Sequence, residues 1–309
     1  GASYAEARNR PMTTAFRLGL LAALARPSTL RAMALVATGA FLGSAVNTCI
    51  RHIAGEMHPF EITFFRFFFG FLVLAPFFVR RGWAPFRTQR LAQHCVRGAI
   101  HALSMILLVT GITLTPIAKV AALVFTSPLF VTVMAVFVLG EVLRARRISA
   151  LVFGFAGTLV IVRPGIATLD VGALIILGAS VSFAVIMILL KILARTESPV
   201  TITAYTALVS IPITGIVAIP VWQAPSPAHL GWLALAGLCG SLNHLCQAQA
   251  LKEADVTAVL PVGYTMLIFS AILGYAFFGE VPDVWTWVGG TMIFASALYI
   301  ADRERRLRA

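Results

Sequence analysis

Charge is scarce in this chain, and negative charge scarcest. Of its 309 residues 12% are charged, with Asp plus Glu numbering 12 against 24 Lys plus Arg. Soluble domains carry roughly 25% charge, so a water-facing globule is excluded. From Ser198 to Leu251 there is no Asp, Glu, Lys or Arg, and no carboxylate lies deep within any apolar run. Cysteine is nearly absent too. Cys49, Cys95, Cys239 and Cys246 sit in or beside apolar runs, at spacings that suit neither a zinc site nor a disulfide framework. They read as buried free thiols, with no metal and no cofactor expected. The apolar runs lack the alternation that barrel strands require. Also missing are His-Glu-x-x-His, Gly-x-Ser-x-Gly and the Gly-x-x-x-x-Gly-Lys phosphate loop, which argues against an enzyme and against a self-contained ATP-driven pump.

What is present is long hydrophobic sequence. About 20 apolar residues cross a bilayer core, and ten such segments are expected, at 33–50, 60–79, 93–113, 117–139, 147–163, 171–191, 199–220, 230–250, 256–279 and 284–301. Pro220 through Pro227 is turn-rich and separates two of them, since helices do not continue through such a run. The fold class is therefore an all-α polytopic membrane bundle. The net charge of +12 sets orientation rather than serving nucleic acid. With both termini in the cytoplasm, 19 of the 24 Lys and Arg lie on the cytoplasmic side, against Arg51, Lys119 and Arg163 opposite and Arg66 and Arg97 within spans. This is the positive-inside pattern.

The ten spans fall into two copies of one unit, residues 31–165 and 170–304, flanked by an N-terminal segment at 1–30 and a basic tail at 305–309. Shifted by 139 positions, Leu139-Gly140-Glu141-Val142 falls on Phe278-Gly279-Glu280-Val281, Thr126 on Thr265 and Gly39 on Gly178. A shift of 140 places Pro59 on Pro199 and Thr63 on Thr203. A unit with an odd number of spans inserts its second copy upside down, and inverted repeats with a site between the halves are a recurring plan of secondary transporters. Within 1–30, Gly1-Ala2-Ser3 is a candidate tag remnant. Leu18–Ala25 is a short apolar run between Arg17 and Arg26-Pro27, read as an interfacial helix in preference to a cleaved signal.

The local wording resembles the EamA-type drug/metabolite transporters over about residues 31–304. The resemblance rests on Pro59-Phe-Glu-Ile-Thr-Phe-Phe-Arg66, on Thr115-Pro116-Ile-Ala-Lys-Val-Ala-Ala, and on the pairs Gly140-Glu141 and Gly279-Glu280. It implies two inverted five-helix repeats and a carrier of small metabolites, often amino acids or related compounds and often exported, in the inner membrane of a bacterium. Thr201 and Thr206 stand where Glu61 and Arg66 would recur, so that pair is not duplicated. The partners expected are a small-molecule metabolite and lipid, with no nucleic acid, in a monomer or weak homodimer. A vitamin, a nucleoside-like compound or an organic anion, and uptake or exchange, stay open beside export; a channel or a membrane-embedded enzyme is the remoter reading.

Polar residues inside spans are costly and usually face a partner or a wet cavity. His101 and Ser104 share one helical face with Arg97, and Asn243, His244 and Gln247 share another with Gly240, at about 100° per residue. The 139 shift equates Ser104 with Asn243 and Met105 with His244. These residues read either as lining one central cavity or as interhelical glue. Thr126-Ser127-Pro128 should break the fourth helix, and Pro261 with Tyr264 the ninth, where Tyr264 reads as a gate or as packing. Asn47 is a further lining candidate. Glu61 and Arg66 read as an ion pair or gate near the outer end of the second span, and Glu141 and Glu280 as gating or structural groups. His101 and His244 are the deep titratable groups, which leaves coupling open. An Arg97 or Arg66 turned inward would shift the ligand toward organic anions. The charge split carries its own test: single cysteines placed within 86–88 and within 222–228 should be labelled by an impermeant maleimide from opposite sides. Labelling of both from one side would break the ten-span layout.

Overall fold

A computed structural model of the chain describes residues 28–82, 86–114, 123–124, 126–142, 144–162, 171–279, 281 and 283–306. The described residues fold into helices α1 Thr29–Ile53, α2 Pro59–Leu72, α3 Ala75–Arg81, α4 Leu91–Leu114, α5 Ser127–Leu139, α6 Ala145–Val162, α7 Val171–Ala194, α8 Pro199–Ala218, α9 Pro227–Glu253, α10 Val256–Gly263, α11 Thr265–Phe278 and α12 Val284–Arg306. Together α2 and α3 make the second span, and α10 and α11 the ninth. The others make one span each, of which the described part of the fourth is α5. By length and composition six of these segments suffice alone to cross a membrane, and Ser127–Leu139 is a shorter apolar helix. The eighth span falls below that threshold because α9 also carries Asn243, His244, Gln247, Gln249, Lys252 and Glu253.

The ends are set by local chemistry that the two copies share. Pro59 and Pro199 each occupy the first turn of a helix, where a missing amide costs nothing and a fixed φ helps. His58 Nδ1 accepts from the Phe60 amide and Ser198 Oγ from the Thr201 amide, capping those helices. Gly140 and Gly279 end α5 and α11 with φ of 67° and 66°, the left-handed turn that a side chain resists. The mid-membrane breaks are matched as well. Thr126 Oγ1 donates to the Leu123 carbonyl at 2.6 Å and Thr265 Oγ1 to the Val262 carbonyl at 2.7 Å. Leu123 and Val262 are themselves 139 apart, so each copy repairs its broken helix with the same residue in the same way.

Packing interleaves the copies. The first span packs on the eighth and the third on the sixth, the second on the seventh, and the fifth on the tenth. Two helix crossings are repeat equivalents. A Cβ on Gly98 of α4 would lie 2.6 Å from Val209 Cβ in α8, and one on Gly237 of α9 would lie 2.7 Å from the Gly70 amide nitrogen in α2. Both pairs obey the 139 shift. At the same contacts Ser210 Oγ donates to the Gly98 carbonyl and Ser241 Oγ to the Gly70 carbonyl. Small residues that bring backbones together, with hydroxyls bonding across, are how helices associate in lipid. A core spanning both copies gathers Val131, Leu151, Leu190, Leu251, Tyr264 and Ile293. Phe137, Ile216 and Trp287 lie exposed on the rim, where hydrocarbon rather than water meets them. Gly237→Val has no space to occupy. Overpacking of this kind costs about 1–3 kcal/mol, so the variant should unfold at clearly lower temperature in detergent, while Gly55→Ala, with nothing near its Cβ, should not. Equal midpoints would show that the crossing is not tight.

Candidate functional site

The polar residues of α4 and α9 meet between the copies. Arg97, His101 and Ser104 recur along one face of α4 and are all buried. The His101 and His244 rings lie 5.2 Å apart at 69°, edge toward face, and His101 also meets Phe67 at 5.4 Å. Around His244 closes a cavity of about 10 Å³ lined by Arg66, Phe67, Thr203, Thr206, Gly240 and Ser241, among others. That is about the room one water needs, so the centre of the molecule is shut around it. Arg97 donates to Thr206 Oγ1, and the Arg66 guanidinium lies 4.6 Å from the centroid of the Phe67 ring. The centre can bind and orient polar or anionic groups. It presents cations, imidazoles and hydroxyls, with no carboxylate among its lining residues.

The other expected residues divide. Ser104 Oγ donates to the Ala179 carbonyl in α7 at 3.2 Å, which makes it interhelical glue. Asn243 and Gln247 bond to each other at 2.9 Å. The Asn243 amide is pressed against α1: a Cβ on Gly39 would lie 2.9 Å from Asn243 Oδ1, and one on Gly43 lies 3.3 Å from its Nδ2. Thr126 caps the break in the fourth span. Asn47 is exposed on α1. Tyr264 is placed away from the histidines, 1% exposed in the apolar core, its ring 2.8 Å from where a Gly154 Cβ would stand. Aromatic bulk at a helix break fills the gap the break creates, and Tyr264 packs there with Val131, Leu151 and Ile293 in one core.

Glu61 and Arg66 do not form a pair. Glu61 is fully buried and accepts from the Gln223 amide, 2.5 Å, in the turn after α8, while Arg66, five residues on and so on another face, turns to the cavity. Glu280 lies outside the described residues. The contribution of Thr203, Thr206 and Ser241 to the cavity was not among the sequence expectations; Arg97, whose inward turn was raised as a condition, reaches it through its bond to Thr206. Thr206 carried a signal, as the residue standing where Arg66 would recur; Thr203 and Ser241 carried none beyond polarity.

The membrane face on which α1 begins is sealed by groups that converge on the elbow between α9 and α10. Glu141 accepts from the Val256 amide at 2.8 Å, the Thr257 amide at 3.0 Å and Thr257 Oγ1 at 2.7 Å. It supplies the anion that a helix N-terminus favours, from a different helix hairpin. Arg147 reaches Asp255 and Thr257, each at 3.1 Å. Lys191 donates to the Leu251 and Ala254 carbonyls at 2.8 and 2.6 Å, and Arg31 pairs with Glu253. Residues of both copies thus lock one elbow.

Ten spans in two interleaved, inverted copies around a closely packed polar centre define a carrier rather than an enzyme or an open pore. The EamA-like transporter family matches residues 30–163 and 170–301, and the chain belongs to that family: it is a multi-pass membrane protein that transports small metabolites. An S-adenosylmethionine uptake transporter of Rickettsia prowazekii is 32% identical over 85% of this chain and 90% of that protein. A riboflavin transporter of Rhizobium johnstonii is 31% identical over 79% of this chain and 81% of its own length. A pseudopaline exporter of Pseudomonas aeruginosa is 26% identical over 88% and 96%. One crystal structure superposes with a TM-score of 0.72 at 20% identity, covering 91% of this chain and 97% of that one, which shows the shared fold. Glu141→Ala leaves the elbow's donors without their acceptor. Hydrogen bonds to charged groups contribute about 1.5–3 kcal/mol, so the variant should lose thermal stability and expose a cysteine placed at 256 to maleimide. No change in either would show that Arg147 and Lys191 hold the elbow by themselves.

Proposed function

We propose that the chain takes up an amino-acid-type metabolite bearing a heteroaromatic group, with S-adenosylmethionine the first candidate, by alternating access between the two faces of a bacterial inner membrane. The observation that carries this is the meeting of His101 and His244 in a shut centre built by both copies. A site at the junction of inverted repeats can be exposed to either face by rocking one set of spans against the other. Imidazoles and hydroxyls orient polar groups, and Phe67 offers a ring to stack upon. The sealed face, with the elbow at 253–256, is the cytoplasmic one in this reading, because the Lys and Arg excess lies there. Uptake rather than export is favoured by the Rickettsia relatives, which are S-adenosylmethionine uptake transporters. Asn47, Asn243 and Gln247 belong to the path of the ligand through their positions on the paired first and eighth spans. Glu141 acts as the latch of the closed face.

The test is uptake of labelled S-adenosylmethionine into proteoliposomes, with riboflavin and free methionine as competitors. Saturable uptake that methionine barely inhibits is expected, falling by about tenfold or more in His101→Ala and His244→Ala, the loss that removal of one or two binding hydrogen bonds produces. Absence of S-adenosylmethionine transport alongside saturable riboflavin transport would sink this reading and put a vitamin in its place. Efflux from loaded vesicles in the absence of uptake would reverse the direction.

A further inference from the structure

Two arginines stand in the centre of this molecule without a carboxylate. Arg97 is 2% exposed, and its guanidinium donates to the neutral Thr206 hydroxyl. That hydroxyl donates its own hydrogen bond to the Ile202 carbonyl at 2.7 Å, so it serves Arg97 as an acceptor only. Arg66 lies over the Phe67 ring. Buried nitrogens without a hydrogen-bond partner cluster here: Arg66 Nη2, Arg97 Nε, His101 Nδ1 and His244 Nδ1. Among the described residues no carboxylate oxygen lies within 4.0 Å of either guanidinium. Glu61, on the same helix as Arg66, is committed to the Gln223 amide.

A buried cation without a counter-charge costs several kcal/mol, and unmet buried donors add to it. Purely structural arginines would be expected to own an acid, as Arg147 and Arg31 do at the sealed face. We propose that Arg66 and Arg97, with His101 and His244, form an anion site that takes the carboxylate of the transported metabolite. The proposal rests on the reading of the chain as a carrier of an amino-acid-type ligand. A guanidinium fork matches the two oxygens of a carboxylate. The spans involved also explain the economy of the arrangement. Arg66 and Arg97 come from the first copy and Thr206 and His244 from the second, so a bound carboxylate would tie the copies together and its release would free them to part.

Formate is the probe for the site and S-adenosylmethionine with its decarboxylated form the probe for its use. Thermal unfolding of the purified protein should shift upward with formate relative to chloride at equal ionic strength. The shift should vanish in Arg66→Gln and survive in part in Arg66→Lys, which keeps the charge but not the fork. S-adenosylmethionine should bind about tenfold or more tightly than its decarboxylated form, the ratio that loss of a charge-assisted bidentate contact produces. Equal effects of formate and chloride, or a formate shift unchanged in Arg66→Gln, would overturn the carboxylate site whatever the carried metabolite. A formate shift that depends on Arg66, with no S-adenosylmethionine binding, would keep the anion site and remove the candidate metabolite. Equal affinity for the two adenosyl compounds would show that the carboxylate is not read.

Discussion

Lipid offers no hydrogen bonds, and the rest of this structure follows from that. Every backbone group within the hydrocarbon must be satisfied by the chain itself, yet a carrier needs helices that are broken at mid-depth. The two requirements are reconciled at Thr126 and Thr265, where a threonine hydroxyl bonds the carbonyl three residues back. Ser180 adds a second donor to the Leu123 carbonyl from the sixth span. Hydroxyls do the same between helices. Ser44, Ser104, Ser210, Ser241 and Ser296 each donate to a carbonyl on a neighbouring span, so the small polar residues that look like blemishes in apolar sequence are the joints of the bundle.

Because the copies interleave, what the repeat makes symmetric and what function makes asymmetric are easily separated. Crossings, caps and breaks obey the 139 shift: Gly98 with Gly237 and Gly70 with Val209, Gly140 with Gly279, Thr126 with Thr265. The centre does not. Arg66 and Arg97 have no cationic counterparts, and His101 meets His244 although the shift equates His244 with Met105. A scaffold duplicated for stability thus carries an unduplicated centre, and recognition of an unsymmetrical molecule calls for such a centre. The polar cluster around the elbow is likewise built from both copies, so its bonds tie one copy to the other on that face.

Sequence determined the class, the ten spans and the inversion, because each follows from quantities that a single strand of letters carries: run length and odd parity. It also placed helix breaks around Pro128 and around Pro261 and Tyr264, where the ninth span continues through Pro261 and breaks at Tyr264, and it gave the equivalence of the polar clusters on the third and eighth spans. Facing was where it ran out. Nothing in the spacing of Glu61 and Arg66 shows that one bonds a turn amide while the other enters the cavity. Nor could it show that Ser104, though equivalent to Asn243, bonds the Ala179 carbonyl while Asn243 lies beside the glycines of the first span and bonds Gln247. Tyr264 follows the same pattern, since an aromatic beside a break serves a gap or a gate equally well until its neighbours are known. Those outcomes depend on which helix lies across from each side chain, a property of the packed bundle that no segment holds alone.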